Sequence, residues 1–228
     1  MNPLGAEQMV LLGEICGLHA GQRQLDLASG KGEMLCQYAR RFGIHGIGVD
    51  MYPPCVDAAN ARAVELGVEQ SVEFVIGDAA AYEPLDSPFD VVSCIGATWI
   101  GGGLTGTIDL MCQHVRSDGW LLVGEIYWVE TPPPAIEQAL GYECADLAGT
   151  LDRFDAAHVD LVEMVLANRD TWDRYTTSQW LNVAKWLDAN RDHPDAAEVR
   201  QRRNESRRFY MEHERRYLGW GVFVLRPM

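Results

Sequence analysis

A short apolar strand followed by a glycine-rich turn is the feature that most constrains the fold of this chain. Residues 24–33 read Gln-Leu-Asp-Leu-Ala-Ser-Gly-Lys-Gly-Glu, so an apolar run leads into Gly30 and Gly32 before a helix begins. Glycine has no Cβ, and a turn of this kind lets the backbone approach a ligand closely. An ordinary strand-to-helix turn of an α/β protein has the same appearance, so the rest of the chain must discriminate between the two.

Three more apolar segments follow, and polar residues or glycine stand at their ends. Residues 45–50 end in Asp50, residues 72–78 end in Asp78, and residues 89–96 begin near Asp90 and end in Gly96. In open α/β sheets, ligands bind outside the carboxyl ends of the strands. We therefore expect Asp50 and Asp78 to converge on one cleft, with the glycine turn as its floor.

This ordered series resembles the class I S-adenosylmethionine-dependent methyltransferases over roughly residues 20–130. That family has an acid just before a glycine-rich first loop and an acid at the end of strands two and three. The resemblance implies an α/β, doubly wound, Rossmann-like sheet of seven strands, with the last strand antiparallel and helices on both faces. One departure is Ala28, which stands where the family usually has glycine; we expect it to fit with a negative φ.

Length, charge and cysteine usage bound the remaining possibilities. With 228 residues, one methyltransferase domain over 1–228 is expected, with an N-terminal helix in 1–20. The net charge of -14 argues against a nucleic-acid partner and against an anionic membrane. The six cysteines are scattered without metal-ligand spacing, which indicates no metal site and a reduced, cytoplasmic protein. Residues 1–20 do not read as a signal peptide, and no stretch approaches a membrane span.

Hydrophobic periodicity and turn residues predict the remaining elements. Residues of about 131–218 are expected to carry the substrate-binding and lid elements. The predicted helices are Pro3–His19, Lys31–Phe42, Pro53–Leu66, Thr105–Val115, Ala135–Tyr142, Thr171–Asn190 and Asp195–Tyr217, with a helix or turn over Cys144–Phe154. The fifth strand is predicted at Trp120–Trp128 after a turn at Asp118 and Gly119, the sixth at Asp160–Ala167 and the last at Gly219–Leu225.

The resemblance assigns S-adenosylmethionine as the cofactor. Asp50 is expected to accept hydrogen bonds from the two ribose hydroxyls, because a carboxylate accepts two such bonds; a helix N-cap is the alternative. Asp78 is expected to accept from the adenine amino group while the Ala79 amide donates to the ring, with a turn cap as the alternative. Met51 is expected on the adenine face or in the core. The other predicted cofactor residues are Asp26, Ala28 and Gly30 beside the methionine part, and Cys94 and Ile95 along the cleft.

The predicted catalytic residues come from the ends of strands four and five. Glu125 is a candidate acid/base or an anchor for a substrate amine. The alternative is a surface carboxylate, or one that only orients a backbone group. Thr98 and Trp99 fall where the family places substrate-facing residues. An aromatic lid is one interpretation of the aromatic residues, since aromatic faces attract cations. Core packing is the alternative and is favoured for Trp180. The lid candidates are Tyr127, Trp128, Trp172, Tyr175 and Trp180.

The predicted function is methyl transfer to a small-molecule acceptor, at nitrogen or oxygen, by positioned in-line displacement. Two alternatives stay open. An NAD-dependent oxidoreductase is opposed by Leu35, which occupies the third glycine position of the dinucleotide fingerprint, and by the acid at Asp26. A non-catalytic module would bind S-adenosylmethionine without turnover.

Overall fold

A seven-stranded sheet lies at the centre of the computed structural model, which describes residues 2–85, 87–141 and 143–228. The strands are β1 (Arg23–Leu27), β2 (His45–Asp50), β3 (Val72–Ile76), β4 (Phe89–Ile95), β5 (Val115–Trp128), β6 (Val159–Leu166) and β7 (Leu218–Pro227). Their order in the sheet is β3-β2-β1-β4-β5-β7-β6. Strands β1 to β5 are parallel, and β7 is antiparallel to both neighbours. The predicted fold class is confirmed.

Helices cover both faces of this sheet. They are α1 (Ala6–Ile15), α2 (Glu33–Phe42), α3 (Pro53–Leu66), α4 (Leu104–Cys112), α5 (Pro134–Leu140), α6 (Leu147–Ala156), α7 (Arg169–Ala189), α8 (Ala196–Phe209) and α9 (Arg215–Tyr217), with a 3-10 helix at Thr98–Gly101 and a π-helix at Tyr210–Glu214. Side chains of α1, α2 and α3 pack with Val91 and Leu122 of the sheet. Side chains of α4 and α6 pack with Val92 and Leu121. Neighbouring strand residues point to opposite faces, so the two cores lie on opposite sides of the sheet. No helix within the described ranges is both long and apolar enough to span a membrane.

Strand β5 corrects the sequence prediction most clearly. It begins at Val115, so the predicted helix Thr105–Val115 ends early, at Cys112, and the predicted turn at Asp118 and Gly119 lies inside the strand. The pairing of β4 with β5 shifts register here, from Phe89 opposite Val115 to Val91 opposite Trp120. A bulge thus absorbs the extra residues. A Cβ at Gly119 would lie 2.6 Å from Val115 Cγ2 and 2.9 Å from Asp90 O, so glycine is required by close packing rather than by a turn.

The predicted helices lie at the expected places in the chain, but several of them begin or end at other residues than predicted. Helix α3 has the predicted bounds, with proline in its first turn and Gly67 in the left-handed region after its end. The predicted helix Ala135–Tyr142 corresponds to α5, which ends before Gly141, while Tyr142 lies outside the described residues. The helix-or-turn segment Cys144–Phe154 corresponds to α6, where Asp146 Oδ1 accepts from the Gly149 amide at 2.8 Å. The predicted continuous helix Asp195–Tyr217 is interrupted by the π-helix.

Candidate active site

The loop after β1 turns through three left-handed residues. The φ angles are +58° at Ala28, +56° at Gly30 and +68° at Gly32. The expectation of a negative φ at Ala28 is therefore wrong. The amide of Ser29, the next residue, donates to the Val49 carbonyl at 2.9 Å, which ties the loop to β2. Left-handed backbone costs an L-residue about 1–2 kcal/mol. The Ala28 side chain packs against the core, which offsets part of this cost.

Gly30 and Gly32 serve different purposes in this loop. A Cβ at Gly30 would meet nothing within 4 Å, so the loop backbone faces open space there. A Cβ at Gly32 would overlap the Phe74 ring, so this glycine is needed for packing against β3. Gly30 is the position where a ligand has room to lie against the main chain.

Asp50 connects β2 to the glycine loop. Its Oδ2 accepts from the Gly30 amide at 2.8 Å, and its Oδ1 accepts from the Tyr52 amide at 2.9 Å. The N-cap residue of α3 is Tyr52, so Asp50 is not the helix cap that the sequence left open. Each carboxylate oxygen has a second lone pair. The side chain is thus oriented and still able to accept from two hydroxyls.

Met51 and Asp78 follow the carboxyl ends of the neighbouring parallel strands β2 and β3, at the same edge of the sheet as Asp50. Asp78 is exposed, and its Oδ1 accepts from the Ala80 amide at 2.9 Å, as in the turn cap that the sequence left open as the alternative. Met51 is 75% exposed, so it is not a core methionine. Ala79, in contrast, is buried and packs in the core beneath this edge.

Asp26 is a buried acid at the centre of the sheet. Its Oδ1 accepts from the Ser93 hydroxyl at 2.6 Å, and Ser93 Oγ accepts in turn from Gln24 Nε2 at 2.9 Å. Within the described chain the donor to Asp26 is thus a side chain of the neighbouring strand β4. Burial raises the pKa of Asp26 to about 7, and the negative charge of Asp50 adds to this effect while the Ser93 hydrogen bond opposes it.

Glu125 and Thr98 form a hydrogen-bonded pair beside the ends of β4 and β5. Thr98 Oγ1 donates to Glu125 Oε2 at 2.5 Å, and the Ile126 amide donates to Oε1 at 2.8 Å. Glu125 pairs with Gly221 of β7 and lies three residues before the end of β5. Burial raises the pKa of Glu125, while the hydrogen bond from Thr98, the Ile126 amide and the charge of Arg153 oppose this.

Close backbone packing holds the turn that carries Thr98. The Thr98 carbonyl accepts from Thr107 Oγ1 at 2.5 Å, and Thr107 is fully buried in α4. A Cβ at Gly106 would overlap the Gly101 carbonyl oxygen, so the turn and α4 meet backbone to backbone. The glycines of the stretch 101–106 therefore allow the turn to pack closely against α4, in addition to forming a loop.

A cavity of about 880 Å³ opens beside this pair. Glu125, Thr98 and Trp99, which the sequence assigned to the substrate side, line it together with Ile95, which the sequence assigned to the cofactor. Trp99 is 74% exposed and stands at the rim. Cys94 is fully buried in the core, where burial raises its pKa to about 12, and it does not line the cavity. The cavity lining, as described, does not include the acids of β1, β2 and β3.

Helix α7 forms the aromatic wall of the cavity. Its lining residues recur at helical spacing and belong to one face: Trp172, Tyr175, Thr176, Gln179 and Trp180. Trp180 is half-buried and packs edge-on against the buried ring of Tyr210, so it combines the predicted core packing with a place in the cavity lining. Of the other lid candidates, Tyr127 and Trp128 are buried in the core and are not among the lining residues.

Several charged lining residues were missed by sequence reasoning. Arg153 and Glu143 come from α6 and the segment before it, and Glu214 is the last residue of the π-helix. Trp220 of β7 also lines the cavity. The spacing on α7 was a usable signal for that helix, whereas no local pattern distinguishes Glu214 from the other acids of a charged segment.

The chain belongs to the S-adenosylmethionine-dependent methyltransferases. A family model described as a methyltransferase domain matches residues 25–119, which include the glycine loop and the acids of β2 and β3. S-adenosylmethionine is accordingly the cofactor, and the chain is a methyltransferase rather than an NAD-dependent oxidoreductase or a non-catalytic module.

Three relatives match nearly the whole chain. The Escherichia coli protein YjhP is 43% identical over 229 residues, which cover 98% of this chain and 92% of that protein. A methyltransferase from Geobacter sulfurreducens, solved in complex with S-adenosylhomocysteine, is 43% identical with a TM-score of 0.94. One from Thiobacillus denitrificans, also with S-adenosylhomocysteine, is 42% identical with a TM-score of 0.94. Each of these two alignments covers 100% of this chain and 93% of that chain.

Proposed function

We propose that this methyltransferase transfers its methyl group to a nitrogen or oxygen atom of a small molecule that binds in the cavity beside β4 and β5. The cavity beside Glu125 is the observation that carries the proposal. Its volume of about 880 Å³ is within the range of small-molecule sites. Aromatic and aliphatic surface with a few polar groups is the usual lining of such sites.

The cofactor is held, in this proposal, along the ends of β1, β2 and β3. Asp50 accepts from the ribose hydroxyls, and Asp78, Ala79 and Met51 form the adenine side. The open backbone at Gly30 lies against the methionine part, where a positively charged group favours the ionised form of Asp26. Ala28, Cys94 and Ile95 complete the predicted cofactor set, with Cys94 as packing beneath it. When bound, the cofactor supplies a methyl group that its sulfonium already activates.

Glu125 is proposed to bind the N–H or O–H group of the acceptor. Both carboxylate oxygens are oriented by donors, and each retains acceptor capacity. Thr98 is proposed as the positioning residue for this carboxylate, and Trp99 as a wall of the entrance. Holding the nucleophile in line is a large part of catalysis, since well-oriented reactions reach effective molarities of about 10⁵ M or more.

The segment of about 131–218 is proposed to carry the substrate and lid elements of one domain over 1–228. Most of the cavity wall opposite the sheet comes from it. Helices α6 and α7 and the π-helix supply Arg153, the aromatic residues and Glu214. These are the parts of the chain outside the matched family region, 25–119.

The test follows labelled methyl groups. The enzyme and S-adenosylmethionine with a labelled methyl are incubated with a bacterial extract that dialysis has divided into small molecules and macromolecules. We expect label to appear on nitrogen or oxygen in the dialysable fraction, and to disappear with the Glu125→Ala variant. Label confined to macromolecules, or found on carbon or sulfur, contradicts the proposal.

A further inference from the structure

The helical wall of the cavity carries a carboxylate that the proposed function leaves unused. Glu214 lines the cavity as the last residue of the π-helix, whereas Glu125 comes from the sheet. Single turns of π-helix occur frequently at functional sites. This one is held in place by its surroundings, because Tyr210 donates to Asp173 at 2.6 Å and Arg215 pairs with Asp173 at 2.9 Å.

Glu214 has no counter-charge in the described part of the chain. It accepts no hydrogen bond and forms no ion pair there. Burial alone raises the pKa of Glu214. The two arginines that follow it are engaged elsewhere, Arg215 with Asp173 and Arg216 with Glu130 at 2.6 Å. A half-buried carboxylate without a partner is poorly solvated, and a bound cation would stabilise its charged form.

The one cationic group in the described lining, Arg153, interacts with Glu143 and Glu125 rather than with Glu214. Arg153 donates to the Glu143 carbonyl at 3.3 Å, and its charge lowers the pKa of Glu125. It has no comparable influence on Glu214. No cationic group of the described lining therefore offsets the charge of Glu214, which leaves its carboxylate available to a positively charged ligand group.

Aromatic rings line the same cavity as this carboxylate. Trp172, Tyr175 and Trp180 line the same cavity from α7. Ring faces attract cations, and the guanidinium of Arg207, outside the cavity lining, already lies 5.7 Å from the centre of the Trp180 ring. A carboxylate combined with aromatic faces is the chemistry that recognises an amine or ammonium group.

We infer that the acceptor carries a cationic nitrogen, distinct from the atom held by Glu125, and that Glu214 and the rings of α7 bind it. This inference rests on the proposed function, because it assumes that the acceptor occupies this cavity. It narrows the acceptor to molecules with an amine or ammonium group at one end and a nucleophilic nitrogen or oxygen at the other. Glu214 is then a specificity-determining residue.

The experiment compares two probes of similar shape, 2-phenylethylamine and the neutral 2-phenylethanol, on the enzyme loaded with S-adenosylhomocysteine. Titration calorimetry is performed on the wild type, Glu214→Gln and Glu212→Gln. Glu212 is the matched control, because it belongs to the same π-helix but is exposed and pairs with Arg208 at 3.1 Å. Thermal unfolding of each variant confirms that it is folded.

We expect the wild type and Glu212→Gln to bind the amine about tenfold or more tightly than the alcohol, as for one interaction with a charged group. Glu214→Gln should lose this preference and bind the alcohol as the wild type does. Equal affinity of the wild type for the two probes, or an unchanged preference in Glu214→Gln, overturns the inference. Neither result affects the labelled-methyl experiment, by which the proposed function is judged separately.

Discussion

Asp50 is hydrogen-bonded to two backbone amides, at Gly30 and Tyr52, and is proposed to accept from the cofactor ribose with the same two oxygens. We predict that Asp50→Ala weakens binding of S-adenosylhomocysteine by about 1.5–3 kcal/mol, the usual scale of a hydrogen bond to a charged group. Titration calorimetry measures this. Asp57→Ala is the control, because Asp57 is an exposed acid on the neighbouring helix α3. An unchanged dissociation constant in a folded Asp50→Ala variant would show that Asp50 only organises the turn.

Glu125 is the residue whose role separates anchoring from proton transfer. We predict that Glu125→Gln raises the Michaelis constant for the acceptor with little loss of kcat, because the amide keeps the shape but loses the charge-assisted hydrogen bond. Steady-state kinetics with varied acceptor measure both parameters, and affinity for S-adenosylhomocysteine should stay near the wild-type value. A loss of kcat of about 10²–10⁴-fold would instead identify a general base.

The pH dependence of binding supplies a second readout for Glu125. Burial raises its pKa, so its charge is lost at a higher pH than for an exposed glutamate. Acceptor affinity should therefore fall as the pH decreases through this raised pKa, and the fall should be absent in Glu125→Gln. A Thr98→Val variant should raise the pKa further, because it removes a donor that favours the ionised form. A pH profile that is identical in the wild type and Thr98→Val contradicts this assignment.

Sequence reasoning at the scale of residues predicted position correctly where a side chain stands at or near the end of a strand. Asp50, Asp78 and Glu125 lie near the carboxyl ends of β2, β3 and β5, as expected for a parallel sheet, and their roles stay predictions. The backbone of Ala28 was predicted wrongly, since a small side chain gives no sign of a left-handed φ. Glu214 was missed because only the tertiary fold brings the π-helix to the cavity.

At the scale of elements, the bounds of an element could be predicted where proline or glycine marks its ends. Helix α3 was predicted to the residue, because proline marks its first turn and Gly67 its end. The bulge in β5 was missed because Asp118 and Gly119 have the composition of a turn. The constraint at Gly119 is close packing against Asp90 of β4, a strand that precedes it by more than twenty residues in the sequence.

The junction between the 3-10 helix and α4 gives a prediction at the scale of elements. A methyl group at Gly106 would overlap the Gly101 carbonyl oxygen, and backbone on both sides cannot move aside as a flexible side chain can. We predict that Gly106→Ala lowers the free energy of unfolding by about 3 kcal/mol, the upper part of the usual range for overpacking. Urea unfolding measures this loss.

Gly77→Ala is the control for this substitution. The nearest atom to a Cβ at Gly77, apart from its chain neighbours, is Val49 Cγ1 at 3.7 Å, an ordinary contact. Its effect on stability should stay small. If Gly106→Ala is as stable as Gly77→Ala, the backbone-to-backbone contact does not constrain the position of Thr98.

At the scale of the whole molecule, Asp26 is predicted to connect the stability of the sheet with cofactor binding. It lies on the central strand β1, between β2 and β4, and is fully enclosed by the fold. A buried, ionised carboxylate next to the charge of Asp50 destabilises the protein without cofactor. A cationic ligand group placed beside it stabilises the ionised form. We therefore predict that the site loses stability in the unliganded protein and gains affinity for the cofactor.

The pH dependence of folding tests this trade. The pKa of Asp26 is raised from 3.8 to about 7, so the folded state holds the proton more tightly than the unfolded chain does. This favourable contribution is complete below the unfolded pKa and is lost as the pH rises through about 7. Each pKa unit corresponds to about 1.4 kcal/mol, so the effect on unfolding should amount to several kcal/mol across this window.

We predict that Asp26→Asn, which cannot ionise, is more stable than the wild type at pH 8.5 when no cofactor is bound, and that this advantage shrinks towards pH 4. Urea unfolding at a series of pH values measures the difference between the two proteins, in which other titrations largely cancel. Asp57→Asn, with the same change in charge at an exposed site, should show no such trend. The variant should also bind S-adenosylmethionine more weakly than the wild type. A stability difference that is independent of pH would show that Asp26 does not carry the raised pKa, and that the trade lies elsewhere in the site.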